Sequence, residues 1–454
     1  MDDEKRKFVW GAATAAYQVE GAAFEGGKGL TIWDVFAHEK GRIYMDQNGD
    51  TACDSYHHVD EDVALMAELG ITGYRFSIDW ARVLPEGTGR VNEEGLAWYS
   101  HLVDALLEKG IEPFVTLYHW ELPYALQMKG GWLNPGIADA FAGYAALIAE
   151  RFSGRVKHYF TINEPQCVSV LGYVTGEHAP GLRMGRREFF QIHKNILLAH
   201  GLAVRALREH SRGPVKVGFA PCGAFYYPSS ERPEDIEAAR RATFHTDSTE
   251  LKEAGWNVAL FTDPIYFGRY PEETLRLFGD ALPGISRDEW EIITEKLDFH
   301  GQNLYNGVEV RAGKDGRPER VRRYDGFPRT ANGWPVTPEA MRWAIRFLSE
   351  RYRLPIYITE NGMSAHDEVS LDGRVHDPNR IDFMDRYLGE LNKAVRDGAD
   401  VAGYFVWSLM DNFEWTLGYS ERFGIIYVDF PTGRRIPKDS FYHYQRIIRG
   451  GETQ

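Results

Sequence analysis

Residues 159–165 read YFTINEP. A β-branched and aromatic run of the kind that fills a buried strand ends abruptly on an amide, a carboxylate and a proline. Proline has no amide hydrogen to continue a ladder, so the strand must stop there. A surface turn would account for the polar end. So would a strand that carries an acid to the rim of a site. The other strands of the chain decide between the two.

Seven further runs of this type are present: FVWGAAT near residue 8, YRFSIDW from Tyr74, EPFVTLYHW from Glu112, VKVGFA from Val215, LDFHGQNLY from Leu297, IYITEN from Ile356 and VAGYFVWSLMDN from Val401. Amphipathic helical stretches lie between them. In DEDVALMAELG, Val63, Met66, Ala67 and Gly70 follow the i, i+3, i+4, i+7 spacing. GLAWYSHLVDALLEKG and RIDFMDRYLGELNKAVRDG behave alike, and each of the three closes on a glycine suited to a C-terminal cap. Eight strand–helix units predict a (β/α)8 barrel with enlarged loops, in one catalytic domain over residues 1–454. A doubly wound sheet is the alternative, but no GxGxxG fingerprint follows an early strand.

Composition narrows the function. The chain has 454 residues, 43% hydrophobic and 13% aromatic, enough to bury a large core. Its twelve Trp and twenty-four Tyr can be core, and they are also the side chains that stack on sugar rings. A formal net charge of −14 disfavours nucleic acid, whose phosphates it would repel, and favours a neutral or cationic small ligand. Three cysteines, Cys53, Cys167 and Cys222, are too scattered for a disulfide framework or a zinc site. The charged start MDDEKRKFVW lacks a secretory apolar region, and no run approaches the ~18 apolar residues of a membrane span. A cytoplasmic protein without membrane contact is expected; the oligomeric state is left open.

A barrel predicts that chemistry gathers at the C-terminal ends of its strands. Gln18 and Glu20 follow the first strand, and Arg75 lies in the second. His119 and Trp120 end the third, and Asn163 and Glu164 the fourth. Asn303 and Tyr305 end the sixth, and Glu360 and Asn361 the seventh. Trp407, Glu414 and Trp415 lie at or beyond the eighth. Seven polar ends at matching places point to one pocket. Glu164 and Glu360 belong to strands facing each other across the mouth of a small barrel, and paired carboxylates flanking a sugar are the equipment of glycoside hydrolysis. Amides, His and Glu suit hydroxyls, Trp suits apolar sugar faces, and Arg and Tyr hold a carboxylate ionised.

These motifs resemble glycoside hydrolase family 1, the β-glucosidase family. The likeness runs through FVWGAATAAYQVEGA, HWELP, TINEP, DPIYFGRYP, YITENG, WSLMDNFEW and ERFGIIYVDF, almost the whole chain. NEP or TENG alone is a weak signal; all of them in order are specific. The resemblance implies a retaining β-glycosidase with Glu164 as general acid/base and Glu360 as nucleophile. It implies that Gln18, His119, Asn163, Glu414 and Trp415 hold the hydroxyls of the non-reducing sugar. Trp407 would lie beneath the ring. Trp120, Asn303 and Phe423 complete the substrate-binding set, and Arg75 and Tyr305 orient the nucleophile. No metal or organic cofactor is required. Implied substrates are cellobiose-like disaccharides and aryl or alkyl β-glucosides, with β-galactosidase and β-fucosidase side activity.

Bland readings exist for each residue. A strand-end Glu is usually solvated, a lone His or Trp is usually core, and Arg75 fits an ordinary ion pair. His57 and His58 precede an acidic helix and read as a solvated helix start rather than metal ligands. Cys167 reads as packing. Three positions depart from the family pattern: Gln166 where Trp is common, in the wall that receives the leaving group; Asp79 where Ser is common; and Leu304 where Tyr or His is frequent. Glu414, with no Lys in GYSERFGI, argues against the branch that cleaves 6-phosphorylated sugars. Glu164 excludes the thioglucosidase pattern, which has Gln there. A non-catalytic sugar-binding barrel would have lost one or both glutamates; a dedicated transglycosylase would share every catalytic residue.

Overall fold

The computed structural model describes residues 7–450. The charged MDDEKR start, on which the leader reading partly rests, and the two ends of the expected 1–454 domain lie outside these described residues. Eight strands form the frame: β1 (Val9–Ala13), β2 (Gly73–Ser77), β3 (Glu112–Tyr118), β4 (His158–Asn163), β5 (Lys216–Ala220), β6 (Phe299–Asn303), β7 (Ile356–Asn361) and β8 (Val401–Trp407). They close in the order β1-β8-β7-β6-β5-β4-β3-β2, every neighbour parallel. All eight runs read from the sequence are barrel strands. Closure excludes the doubly wound sheet.

The barrel is filled rather than hollow. Phe114, Phe160, Phe299, Tyr357 and Phe405 form an aromatic plug with Phe114–Phe405 and Phe299–Tyr357 centroids 5.0 and 5.1 Å apart. Room for these rings comes from small neighbours: a Cβ on Gly218 would lie 2.0 Å from the Phe299 ring. Above the plug the inward positions turn polar, at Arg75, Asn163, Asn303 and Glu360, all buried. Between β4 and β7 lie two strands on one side and four on the other. Their two carboxyls therefore point into one mouth.

Helices coat the barrel with their apolar stripes inward. The stripe of the Val59–Leu69 helix is Val59, Val63, Met66 and Leu69. The expected Ala67 and Gly70 are not on it: Ala67 is exposed and Gly70 is the left-handed cap, with φ 86°. His58 occupies the N-cap position of this helix, and His57 bonds Asp54 at 2.6 Å, in keeping with a solvated helix start. Two accessory sheets escaped the sequence reading. One joins Tyr226–Pro228, Val308–Ala312 and Pro318–Arg320; the other pairs Ile426–Asp429 with Arg434–Pro437. Among the described residues no helix is long and apolar enough to cross a membrane.

Candidate active site

The mouth of the barrel opens into a cavity of about 580 Å³ whose walls include both Glu164 and Glu360. Glu360 is the penultimate residue of β7. One of its oxygens accepts from Arg75 Nη1 at 2.7 Å, and the other from the Tyr305 hydroxyl at 2.7 Å. Burial raises its pKa, while the Arg75 guanidinium and the Tyr305 and Asn303 donors pull it back. Arg75 is itself fully buried and fixed by four acceptors, on Thr116, Thr359, Glu360 and Asn163.

Glu164 sits one residue beyond β4 with φ 42°, a left-handed conformation that costs a non-glycine residue about 1–3 kcal/mol. Its amide donates to the Ala220 carbonyl at 2.8 Å, which anchors the turn. Among the described residues its carboxyl receives two neutral donors, Asn303 Nδ2 at 2.8 Å and the Cys167 thiol at 3.0 Å. Burial, and then the charge on Glu360, push it up to about 7. The two carboxyls thus titrate apart, the lower one beside the guanidinium.

Asn163 organises the floor. Its Oδ1 accepts from Arg75 at 2.6 Å and from Asn303 at 3.0 Å, so its Nδ2 faces His119 Nε2, 3.1 Å away. His119 must accept there, which puts its proton on Nδ1. Burial and the Arg75 charge hold this imidazole well below its usual pKa, hence neutral. Among the described residues its Nδ1 has no partner, and neither has Gln18 Oε1, whose amide nitrogen is tied to Asn412, Phe413 and Glu414. One buried donor and one buried acceptor are thereby left for a ligand, since buried polar atoms are rarely left unpaired. Glu414 is pushed up to about 8, first by burial and then by the charges of Glu360, Glu421 and Glu164.

Aromatic rings finish the enclosure. Trp407 and Trp415 lie nearly parallel to the His119 ring, at 5.8 and 5.9 Å, and Trp120 packs on Trp415 at 4.4 Å. Of the residues expected from the sequence, His119, Trp120, Glu164, Asn303, Tyr305, Glu360, Trp407, Glu414 and Trp415 line the cavity. Gln18, Arg75, Asn163 and Phe423 lie one layer behind, Phe423 packing on Tyr305 and Trp334 at 6.3 and 6.0 Å. Gln166 is fully buried, accepting from the Cys222 amide at 3.3 Å; the wall on that side presents Cys167, Leu171, Cys222 and Trp256. Cys167 does more than pack, since its thiol touches Glu164. Trp256 and Trp334 were missed; each is a lone Trp amid loop-forming residues, which is the signal that could have found them.

A closed parallel barrel with two unequal carboxyls, polar side chains and aromatic rings gathered in one mouth fits a glycoside hydrolase. The chain belongs to glycosyl hydrolase family 1, whose family model matches residues 2–452. It is 46% identical to Beta-glucosidase A of Thermotoga maritima over 97% of both chains, and 41% identical to Beta-glucosidase A of Acetivibrio thermocellus over 98% of both. It is 44% identical to a 1,4-beta-D-glucan glucohydrolase of Thermotoga neapolitana over 97% of both. The solved structure of the Thermotoga maritima β-glucosidase in complex with glucoimidazole superposes with a TM-score of 0.88, at 46% identity and covering 98% of each chain.

Proposed function

We propose that the chain is a retaining β-glucosidase. Its substrates are terminal non-reducing β-D-glucosyl residues of cellobiose-like disaccharides and of aryl or alkyl β-glucosides. Glu360 is the nucleophile and Glu164 the acid/base. The carrying observation is the unequal company of the two carboxyls: Glu360 rests on a guanidinium and a phenol, Glu164 on an amide and a thiol. Glu360 attacks the anomeric carbon while Glu164 protonates the departing oxygen, a geometry that works with the carboxyls about 5–5.5 Å apart. Once glycosylated, Glu360 no longer repels a charge on Glu164. The pKa of Glu164 falls, and it can take a proton from the incoming water.

His119, Gln18 and Glu414 hold the hydroxyls of the glucosyl unit, and Trp407 lies under its apolar face. Glu414 brings no cation to meet a 6-phosphate, and its carboxyl, pushed up to about 8, exchanges hydrogen bonds with the 4- and 6-hydroxyls instead. Gluco, galacto and fuco sugars then differ by single hydrogen bonds, so β-galactosidase and β-fucosidase side activities are expected, with some transfer to sugar acceptors. The whole chain acts as one catalytic domain. Initial rates on matched 4-nitrophenyl β-glucoside, β-galactoside, β-fucoside, β-mannoside and 6-phospho-β-glucoside test this. The expected result is a preference for glucoside or fucoside with no phospho activity. Activity confined to the 6-phospho sugar would overturn the role of Glu414, and silence on all five would favour a sugar-binding barrel.

A further inference from the structure

On the leaving-group side of the cavity stand two thiols. Cys167 begins the wide-turn helix Cys167–Thr175 that follows Glu164, and Cys222 lies two residues past β5. Both cysteines are free, their sulfurs are 4.0 Å apart, and the Cys167 sulfur is 3.0 Å from Glu164 Oε2. Two sulfurs and a carboxylate oxygen lie within 4.8 Å of one another, and all three residues face the cavity. Around a tetrahedral cation with bonds of about 2.3 Å to sulfur and 2.0 Å to oxygen, sulfurs would be separated by about 3.8 Å and sulfur from oxygen by about 3.5 Å. The observed spacings bracket those values, so small side-chain rotations would complete the site. Cys222 is already steadied by Gln166, which accepts from its amide and lies 3.7 Å from its sulfur.

We propose that Cys167, Cys222 and Glu164 form an inhibitory site for a thiophilic divalent cation such as zinc or cadmium, with water from the cavity as fourth ligand. Binding exchanges the two thiol protons, and the carboxyl proton where Glu164 carries one, for the cation, and all of them leave to solvent; the Glu164 carboxylate becomes a ligand that can neither donate nor accept a proton. Uptake of the cation releases protons, so it strengthens as pH rises. The coordination stands by itself; the inhibition rests on Glu164 being the acid/base.

Cadmium titration of the full-length chain separates the two, because cadmium thiolates absorb in the ultraviolet and hydrolysis of phenyl β-D-glucoside is followed independently. The expected result is one cadmium per chain with thiolate absorbance, inhibition relieved by a chelator, and both effects strengthening with pH. Cys222→Ser and Cys167→Ser should lose the absorbance, and Cys222→Ser should raise the half-inhibitory concentration about tenfold or more. Cys53→Ser, at a buried thiol bonded to backbone carbonyls elsewhere, should keep both. Absorbance that is missing in the wild type or survives in Cys222→Ser would overturn the site. Stoichiometric thiolate absorbance with hydrolysis unchanged would leave the coordination standing and overturn the role of Glu164.

Discussion

At Glu360 each carboxylate oxygen is already occupied, one by Arg75 and one by Tyr305, so Glu360→Ala removes the proposed nucleophile and leaves a buried guanidinium without its carboxylate. Turnover should fall by about 10⁴-fold or more, with steady-state rates on aryl β-glucosides as the measurement. Near-wild-type rates would reverse the assignment. Glu164→Ala should cost about 10²–10⁴-fold on poor leaving groups and far less on the first step with activated phenols, which need no proton. The pH profile carries a separate signature. With its pKa at about 7, Glu164 loses its proton above neutrality, so kcat/KM on phenyl β-glucoside should fall there. In Glu164→Gln that basic limb should vanish. Stability follows the same group with a definite sign. Its folded pKa lies above the unfolded value of about 4.3, so its stabilising contribution is full below that value and is lost as pH rises through about 7. Gln does not titrate. The melting-temperature difference of Glu164→Gln over wild type should therefore grow from pH 5 to pH 8, and a difference constant with pH would rule out the raised carboxyl.

Elements carry these residues to their places, and their ends are where fit is tightest. Just past β7, a Cβ on Gly362 would stand 1.7 Å from the Trp407 carbonyl at the end of β8. Gly362→Ala must part the two strand ends that present Glu360 and Trp407. Misplacement of about 1 Å can cost 10²-fold in rate, so a loss near that size is expected, together with a lower melting temperature. Unchanged values of both would mean that the loop absorbs the methyl. At the end of β2, Asp79 replaces the family's common Ser, and the structure supplies a reason the sequence lacked. Its carboxylate caps the Trp80–Val83 turn, accepting from the amides of Ala81 and Arg82, and lies 3.5 Å from buried Lys28. Asp79→Ser keeps the cap, whereas Asp79→Ala should cost about 1–2 kcal/mol, read by denaturant titration. The contrast marks what a sequence can tell. Strand runs and polar strand ends such as TINEP are local patterns, and they were legible. The neighbours of Asp79, the meeting of Cys167 with Cys222, and the withdrawal of Gln166 behind Cys222 depend on loops returning from distant parts of the chain. So do the accessory sheets: their strands have only three to five residues, and although VEVRA alternates, partners such as YYP and PER carry no such pattern.

Closure joins the first and last parts of the chain into one body. β1 is held between β8 and β2, and the Tyr444 hydroxyl of the Asp439–Ile448 helix donates to the Gly11 carbonyl at 2.8 Å. Arg435 pairs with Asp62 at 2.9 Å, both buried, and Lys438 reaches Asp367 and Asp411 at 2.5 and 2.7 Å with no exposure of its own. Asp411 also accepts from the Gly424 amide and from Arg422, just before Asn412, which holds Gln18. Through Asp411 and its neighbour Asn412 the buried charge network around Lys438 thus adjoins the residues behind the cavity. Removing a single partner from such a network leaves uncompensated charge and costs about 3–5 kcal/mol, whereas an exposed pair costs little. Lys438→Ala should sit toward the low end, because Arg380 and Arg422 still face the stranded carboxylates. If residues 1–454 act as one domain, calorimetry of this variant should give a single transition at lower temperature, with aryl β-glucosidase activity lost on heating in that same transition. Two resolved transitions, with the site surviving the first, would show that the seam and the site unfold apart and that the chain holds more than one domain.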